Sequence, residues 1–287
     1  MAVDPKDANH YFIATYTSGV FEFKGGHFVH YGPDNSTLDV ALEGLAPDEY
    51  TRTDGVMVDD QGNLWVLNAT GVGSPIHIFT PNGVWYKLAP YVSGKALSFI
   101  TPKGIMVDHR DSRRKWMIEQ RGETGIILLD DGGTPTYGGD DKCVKRMSFT
   151  DQNGNILTPD NYICMAQDLD NRIWIGTSTG IIVLPSSTDF FSSGECRRII
   201  IPRNDGTNLG DYLLGDERIN CLAADGGNRM WIGTGNSGLY LMEDDTICVA
   251  HFTAENSLLP SNSIQSIAVM PATGEVFVGT DKGLASY

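Results

Sequence analysis

The side chains of this chain that could do chemistry are carboxylates, histidines and cysteines, and their spacing limits what they can do. Three acidic pairs, Asp130/Asp131, Asp140/Asp141 and Asp244/Asp245, have the residue type of a two-carboxylate hydrolase. Each pair is adjacent in sequence, in or beside a turn, where successive side chains diverge, so none presets the separation that such a mechanism needs. Six histidines (His10, His27, His30, His77, His109, His251) are scattered. The one close pair, His27 and His30, lies three apart on what reads as a strand and so on opposite faces, which argues against zinc. Five cysteines (Cys143, Cys164, Cys196, Cys221, Cys248) are odd in number and contain no CxxC, so free thiols are expected rather than a disulfide framework. DQNGN at 151–155 and NDGTN at 204–208 resemble calcium loops but lack the spaced ligands and closing Glu, and read as Gly turns. No GxSxG elbow, HExxH, P-loop or dinucleotide fingerprint occurs. The expectation is a protein that is not an enzyme, with no catalytic residues, no metal and no cofactor.

The formal net charge is −15 and the sequence pI about 4.6, which would repel a phosphate backbone and excludes nucleic acid as a partner. No apolar run is long enough to span a bilayer and no signal peptide is visible. The 287 residues, 41% hydrophobic with 33 glycines, suffice for a substantial core. Apolar residues come in runs of four to six bounded by Gly, Asn, Asp and Pro, which indicates strands throughout.

Those strands repeat. DDQGNLWVLNATGVG at 59–73, DLDNRIWIGTSTG at 168–180, DGGNRMWIGTGNSG at 225–238 and ATGEVFVGTDKG at 272–283 share one order: polar turn, apolar run around an aromatic, Gly-marked turn, second apolar run. Degenerate copies lie at 4–19 and 108–125. Aligned, they give an aromatic column of Phe12, Trp65, Trp116, Trp174, Trp231 and Phe277, and a small-residue column of Gly55, Gly104, Cys164, Cys221 and Ser266 four residues before the Asp position. Repeated small antiparallel sheets predict an all-β fold, a β-propeller of four-stranded blades, with the small column lining the axis where blades crowd. The aromatics sit in mid-strand, so packing between blades is the better reading than ligand stacking; burial of one contributes about 4–6 kcal/mol at most. Trp85, outside the column, is expected to be partly exposed beside Tyr86. We read a single domain over 1–287, with blades at approximately 1–49, 50–100, 101–160, 161–217, 218–262 and 263–287, closing as six or seven.

Propeller strands zigzag, so the turns between second and third strands share a face with the interblade linkers, the usual ligand side. That face is expected to present Tyr16 with Ser18, Asn68 with Thr70, Arg121 with Glu123, Ser178 with Thr179, Asn236, and Asp281 with Lys282. The binding candidates are Tyr16, Asn68, Arg121, Glu123, Asn236 and Lys282, although turn residues are solvated in most proteins. MAVDP aligns with the end of a first strand and GLASY with a third. The chain is therefore expected to be an excised piece of a longer protein, with an unsealed seam through which self-association could occur.

The phrase D-x-x-G-N-x-W-I-G-T-x-x-G-L, with a linker such as ENSLLPSNSIQSIAV at 255–269, resembles the two-component regulator propeller repeat. The resemblance is strongest at 162–184 and 219–287 and weakest at 101–130, where Glu119 and Gln120 replace the GT dipeptide. Such repeats are known in the periplasmic sensor half of hybrid two-component kinases, which detects carbohydrate fragments, and in PorZ-like surface proteins of the type IX (Por) secretion system. The closing GEVFVGTDKGLASY and the irregular early blade look more like the PorZ-like group. The resemblance implies an extracytoplasmic, non-enzymatic surface scaffold that takes part in type IX secretion and cargo attachment. Its partners would be proteins of a surface complex or a glycan, anionic lipopolysaccharide among them. The alternative is a carbohydrate-sensing kinase propeller. The repeat is far more specific for fold than for function.

Overall fold

A computed structural model describes residues 1–42, 44–46, 49–69, 74–185, 187–203, 205–207, 209–243 and 246–287. Thr70, the acidic pair Asp244/Asp245, and Asn204 and Asn208 of the second loop weighed for calcium lie outside the described residues. The architecture is an all-β propeller of six antiparallel blades, each with its strands hydrogen-bonded in chain order. The chain divides into two compact units, Met1–Arg146 and Met147–Tyr287.

The first unit holds three four-stranded blades. Blade 1 comprises Ala2–Asp4, Asp7–Ala14, Val20–Lys24 and His27–Tyr31; blade 2, Thr53–Val58, Leu64–Asn68, Ile76–Phe79 and Trp85–Leu88; blade 3, Pro102–Asp108, Asp111–Glu119, Gly125–Asp130 and Lys142–Arg146. In the second unit, blade 4 has Tyr162–Gln167, Ile173–Thr177 and Gly180–Leu184; blade 5 has Ile219–Ala224, Met230–Thr234, Leu239–Glu243 and Ile247–Phe252; blade 6 has Ile264–Val269, Val276–Thr280 and Gly283–Ser286. Blade 4 departs from the expected four strands with three; blade 6 also has three, in keeping with GLASY read as a third strand. In blade 4 the fourth strand shrinks to one bridge, in which Val183 and Arg197 exchange both backbone hydrogen bonds at 2.9 and 2.8 Å. Pro185, with no N–H to donate, follows the third strand, and the chain turns away through Ser187–Phe190.

The aromatic column occupies one register. Phe12 pairs with Ala2, Trp65 with Met57, Trp116 with Met106, Trp174 with Ala166, Trp231 with Ala223 and Phe277 with Ala268. The first five are at most 5% exposed, whereas Phe277 is half-buried. Trp174 packs with Ile219, Leu213 and Ile232 of the next blade and its linker, and Trp231 with Ile264, Leu259 and Val278. Trp85 is half-buried, stacked on Phe79 at 4.9 Å.

Each tryptophan of the column also donates its indole N–H to the Asp that opens its turn: Trp65 to Asp59 at 2.9 Å, Trp116 to Asp108 at 3.1 Å, Trp174 to Asp168 at 2.8 Å and Trp231 to Asp225 at 3.2 Å. The same carboxylates accept backbone N–H groups of the turn, as Asp59 does from Gln61 and Asn63. One side chain thus closes the turn and anchors the aromatic. Burial alone would raise the Asp225 pKa, but hydrogen bonds from Arg229, Gly227 and Trp231 hold it below the usual carboxylate range. Where the aromatic is Phe the clamp changes. His10 replaces the indole on Asp4, at 2.9 Å, and Met270 stands at the Asp position beside Phe277.

The small column has a packing reason. A Cβ on Gly176 would lie 2.5 Å from Cys164 Sγ and 2.7 Å from Ile219 Cγ2, and one on Gly233 would meet Cys221 and Ile264 as closely. The Gly of WIGT and the small residue beside it together form a notch for an isoleucine of the next blade. Gly233→Ala is therefore expected to cost about 1–3 kcal/mol in a urea melt. Gly279→Ala, whose Cβ would meet chiefly the rotatable hydroxyl of Ser266, is expected to cost less. All five cysteines are free, and burial pushes the thiols of Cys143, Cys196 and Cys221 up to about 12.

Two buried ionisable groups in the first unit act in opposite directions. His77 is fully buried, its Nδ1 3.0 Å from the Thr37 hydroxyl, and burial holds its pKa down at about 4. The folded state therefore favours the neutral ring, and that contribution is lost as pH falls below the ordinary 6.5 toward 4. Asp141 has both carboxylate oxygens sealed from solvent without a hydrogen-bond donor, and burial with Asp131 and Asp140 nearby pushes it up to about 6. Here the folded state favours the protonated acid, so stability is present below the ordinary 3.8 and lost as pH rises through 6. Asp141→Asn is expected to add about 1–2 kcal/mol near neutral pH and almost nothing near pH 4, read from urea melts at both. A larger gain in acid would contradict it.

Candidate functional site

The turns after the second strands are built by one device. The Thr of GT donates its hydroxyl to the carbonyl of the glycine at or just before the start of the third strand: Thr177 to Gly180 at 2.9 Å, Thr234 to Gly238 at 2.8 Å and Thr280 to Gly283 at 2.9 Å. Gly180 and Gly238 sit at φ of +94° and +86°, where a side chain would be strained. In blade 3, where GT is missing, buried Glu119 does the work. Its carboxylate accepts the backbone N–H groups of Ile100, Thr101 and Arg121, each at 2.9 Å.

On the first unit these turns place Tyr16 in solvent, 55% exposed, with the Arg52 guanidinium 4.2 Å from its ring centre. Arg121 and Glu123 are also exposed, Glu123 lying 4.0 Å from Lys145 Nζ. Asn68 differs from expectation: it is 1% exposed, and its amide is spent on the Asp39 N–H at 2.7 Å and the Arg52 carbonyl at 3.0 Å. It braces two points of the linker between blades 1 and 2 and presents nothing. The strand continues through it, which a turn-centred reading of NATGVG could not show.

On the second unit Thr179, Asn236, Asp281 and Lys282 are exposed, while Ser178 has its hydroxyl buried. The turn of blade 4 borders a cleft of about 500 Å³ between Thr177, Thr179, Ile182, the 156–159 segment and the linker residues Arg198, Asp211, Tyr212 and Asp216. Arg198 sits over Tyr212, its guanidinium carbon 3.6 Å from the ring centre, and Asp211 is paired with Arg203. The cleft is therefore largely polar, lined by a cation, carboxylates and hydroxyls together with Leu157 and Ile182. A second cleft of about 530 Å³, more apolar, lies where blade 4 lacks its fourth strand, between Val183, Pro185, Arg172 and the 195–197 segment. Asp151, the first residue of the loop weighed for calcium, borders it. Its carboxylate is occupied by the N–H groups of Asn153 and Asn155 and by the Asn155 amide. Arg198 and Tyr212 were missed because they belong to the linker between blades 4 and 5, beside and within the small sheet of Ile200–Pro202 and Gly210–Tyr212, where no repeat column marks a position; the long steps between Trp116, Trp174 and Trp231 were the one available signal.

The arrangement suits recognition rather than bond making. Among the described residues no three His, Cys, Asp or Glu side chains are grouped to hold a metal ion. Among the described residues no helix is long and apolar enough to cross a membrane.

Comparison with known proteins bears on the same point. The two component regulator propeller family matches residues 213–236, and no curated protein matches the chain. The structure superposes along 100% of its length on PorZ, a bacterial surface component of the type IX secretion system of Porphyromonas gingivalis, with a TM-score of 0.86 and 25% identity. It is a propeller closely resembling PorZ. The matched region is 38% of the PorZ chain. The extracellular domain of a hybrid two-component system from B. thetaiotaomicron is similar over 99% of this chain and 32% of its own, with a TM-score of 0.61 and 16% identity. Streptogramin B lyase matches over 98% of this chain and 80% of its own at 0.57 and 12%. Those two likenesses show the fold alone, whereas PorZ shares the architecture more closely along the whole chain.

Proposed function

We propose that this propeller works as a non-enzymatic, extracytoplasmic scaffold of the PorZ kind, serving type IX secretion and the attachment of cargo to the cell surface. The superposition on PorZ over the full chain at a TM-score of 0.86 carries the reading. Recognition falls to the turn face, whose residues are fixed before a partner arrives, which lowers the entropic cost of binding. On the first unit Tyr16, Arg121 and Glu123 are the contact residues; on the second they are Asn236, Lys282 and the Arg198–Tyr212 pair. Anionic lipopolysaccharide or a protein of the surface complex is what they hold.

Isothermal titration with anionic lipopolysaccharide tests the ligand. Binding that weakens as salt rises is expected, because an acidic protein must use local cations such as Arg121, Arg198 and Lys282. The family match at 213–236 supports a second reading, a carbohydrate-sensing propeller of a hybrid two-component kinase. Heat with neutral oligosaccharides and none with lipopolysaccharide would favour that reading. Turnover in a hydrolase panel would overturn both.

A further inference from the structure

Blade 3 brings an amine and two carboxyl groups together where water does not reach. Lys115 Nζ donates to Asp131 Oδ2, and both side chains are buried. The other lysines in ion pairs among the described residues differ: Lys87 and Lys103 have exposed side chains, and Lys145 lies 4.0 Å from a carboxylate that stands in solvent. The Trp65 ring covers one side of the Lys115 ammonium, its centre 4.4 Å away. Asp141 stands beside the pair, near enough for the charges of both Asp131 and Lys115 to act on it. Its two oxygens are sealed from solvent and accept no hydrogen bond. A Cβ on Gly138 would lie 3.4 Å from Asp141 Oδ2 and 3.0 Å from Leu88 Cδ1, so the carboxyl is walled in as well as dry.

We propose that Lys115 and Asp131 condense after folding into an intramolecular isopeptide bond, with Asp141 as the proton carrier. In the freshly folded chain the two groups are the ion pair. The proton in their hydrogen bond passes from Nζ to the Asp131 carboxylate, which leaves a neutral amine against a neutral acid. Nζ then attacks Cγ, the C–N bond forms, and one Cγ–O bond breaks. Asp141 takes a proton from the nitrogen and hands it to the departing oxygen, which leaves as water. An ammonium and a carboxylate become one amide and one water; nothing is oxidised or reduced, and Asp141 ends as it began. A buried ion pair bears the desolvation of both charges, and the amide removes both. Contact held by the fold replaces an encounter in solution. Burial, with Asp131 and Asp140 nearby, pushes Asp141 up to about 6, so it can both accept and return a proton near neutral pH. The bond ties the second strand of blade 3 to the turn after its third, a staple in a chain whose five cysteines are all free.

Mass spectrometry of the protein held folded at neutral pH for a week tests the proposal. An intact mass lower by one water is expected, with trypsin no longer cutting after Lys115 and the peptides 115–121 and 122–142 recovered joined. The Asp141→Asn form, which removes the proton carrier and keeps the fold, is expected to hold its full mass, as is the native chain kept unfolded in guanidinium chloride. An unchanged mass in the folded native protein would overturn the proposal. So would a loss of water confined to Asp131 and Gly132, which is a succinimide and leaves Lys115 open to trypsin. Equal loss in the Asp141→Asn form would overturn the role given to Asp141.

Discussion

Trp174→Ala is expected to lower the free energy of unfolding by about 3–5 kcal/mol, and Lys282→Ala to leave it within about 0.5 kcal/mol. The first change removes a ring that is 2% exposed and packed against the next blade, and it also strips Asp168 of an indole donor at 2.8 Å. The second removes an exposed side chain at the tip of a turn. Thermal and urea melts of the two variants check it, and similar losses at both sites would contradict the packing assignment. The clamp is separable from the packing. Trp174→Phe combined with Asp168→Ala should show a coupling energy of roughly 1.5–3 kcal/mol, the worth of one charge-assisted hydrogen bond.

Asp131→Ala is expected to be as damaging, about 3–5 kcal/mol, for an electrostatic reason. Lys115 and Asp131 form an ion pair in blade 3 whose side chains are 3% and 2% exposed, with the Lys115 ammonium 4.4 Å from the centre of the Trp65 ring in blade 2. Asp131 also accepts the Gly133 N–H at 2.9 Å. Removal of the carboxylate leaves a cation in the interior with an aromatic face and the partly charged Asp141 as neighbours. The double variant Lys115→Met, Asp131→Leu should recover most of the loss, because a buried pair contributes little beyond its own desolvation cost. Urea melts of the single and double variants read this directly; a single variant as stable as the native chain would show that the pair is solvated.

The blade pattern was legible because packing between wedges imposes it residue by residue. Trp65, Trp116, Trp174 and Trp231 must be large, Cys164, Cys221 and Gly55 must be small, and both demands recur at fixed spacing. The Asp–Trp hydrogen bond was less visible. Asp reads as a turn former and Trp as a core residue, and their six-residue separation in three blades signals a bond only once the strands are paired. The lost fourth strand of blade 4 was hidden for a different reason, since a two-bond bridge at Val183 leaves no alternating pattern in the 185–199 segment. Site residues were harder still. Tyr16, Arg121, Asn236 and Lys282 lie in solvent as turn residues do, but whether a turn position is presented depends on where the strand ends. Asn68, the last residue of its strand, became a brace. Arg198 and Tyr212 come together only through the folding of a linker, so no local sequence signal announces them. His77 was weighed as one scattered histidine among six, and its burial follows from the alternation of a strand whose both faces are covered.

Deletion of the gene in its host, with type IX cargo followed in the envelope and the medium, tests the functional account most directly. The scaffold reading predicts that cargo is no longer anchored at the surface, and that the whole gene restores it while the Trp174→Ala form does not. Normal secretion and anchoring in the deletion strain would contradict the reading.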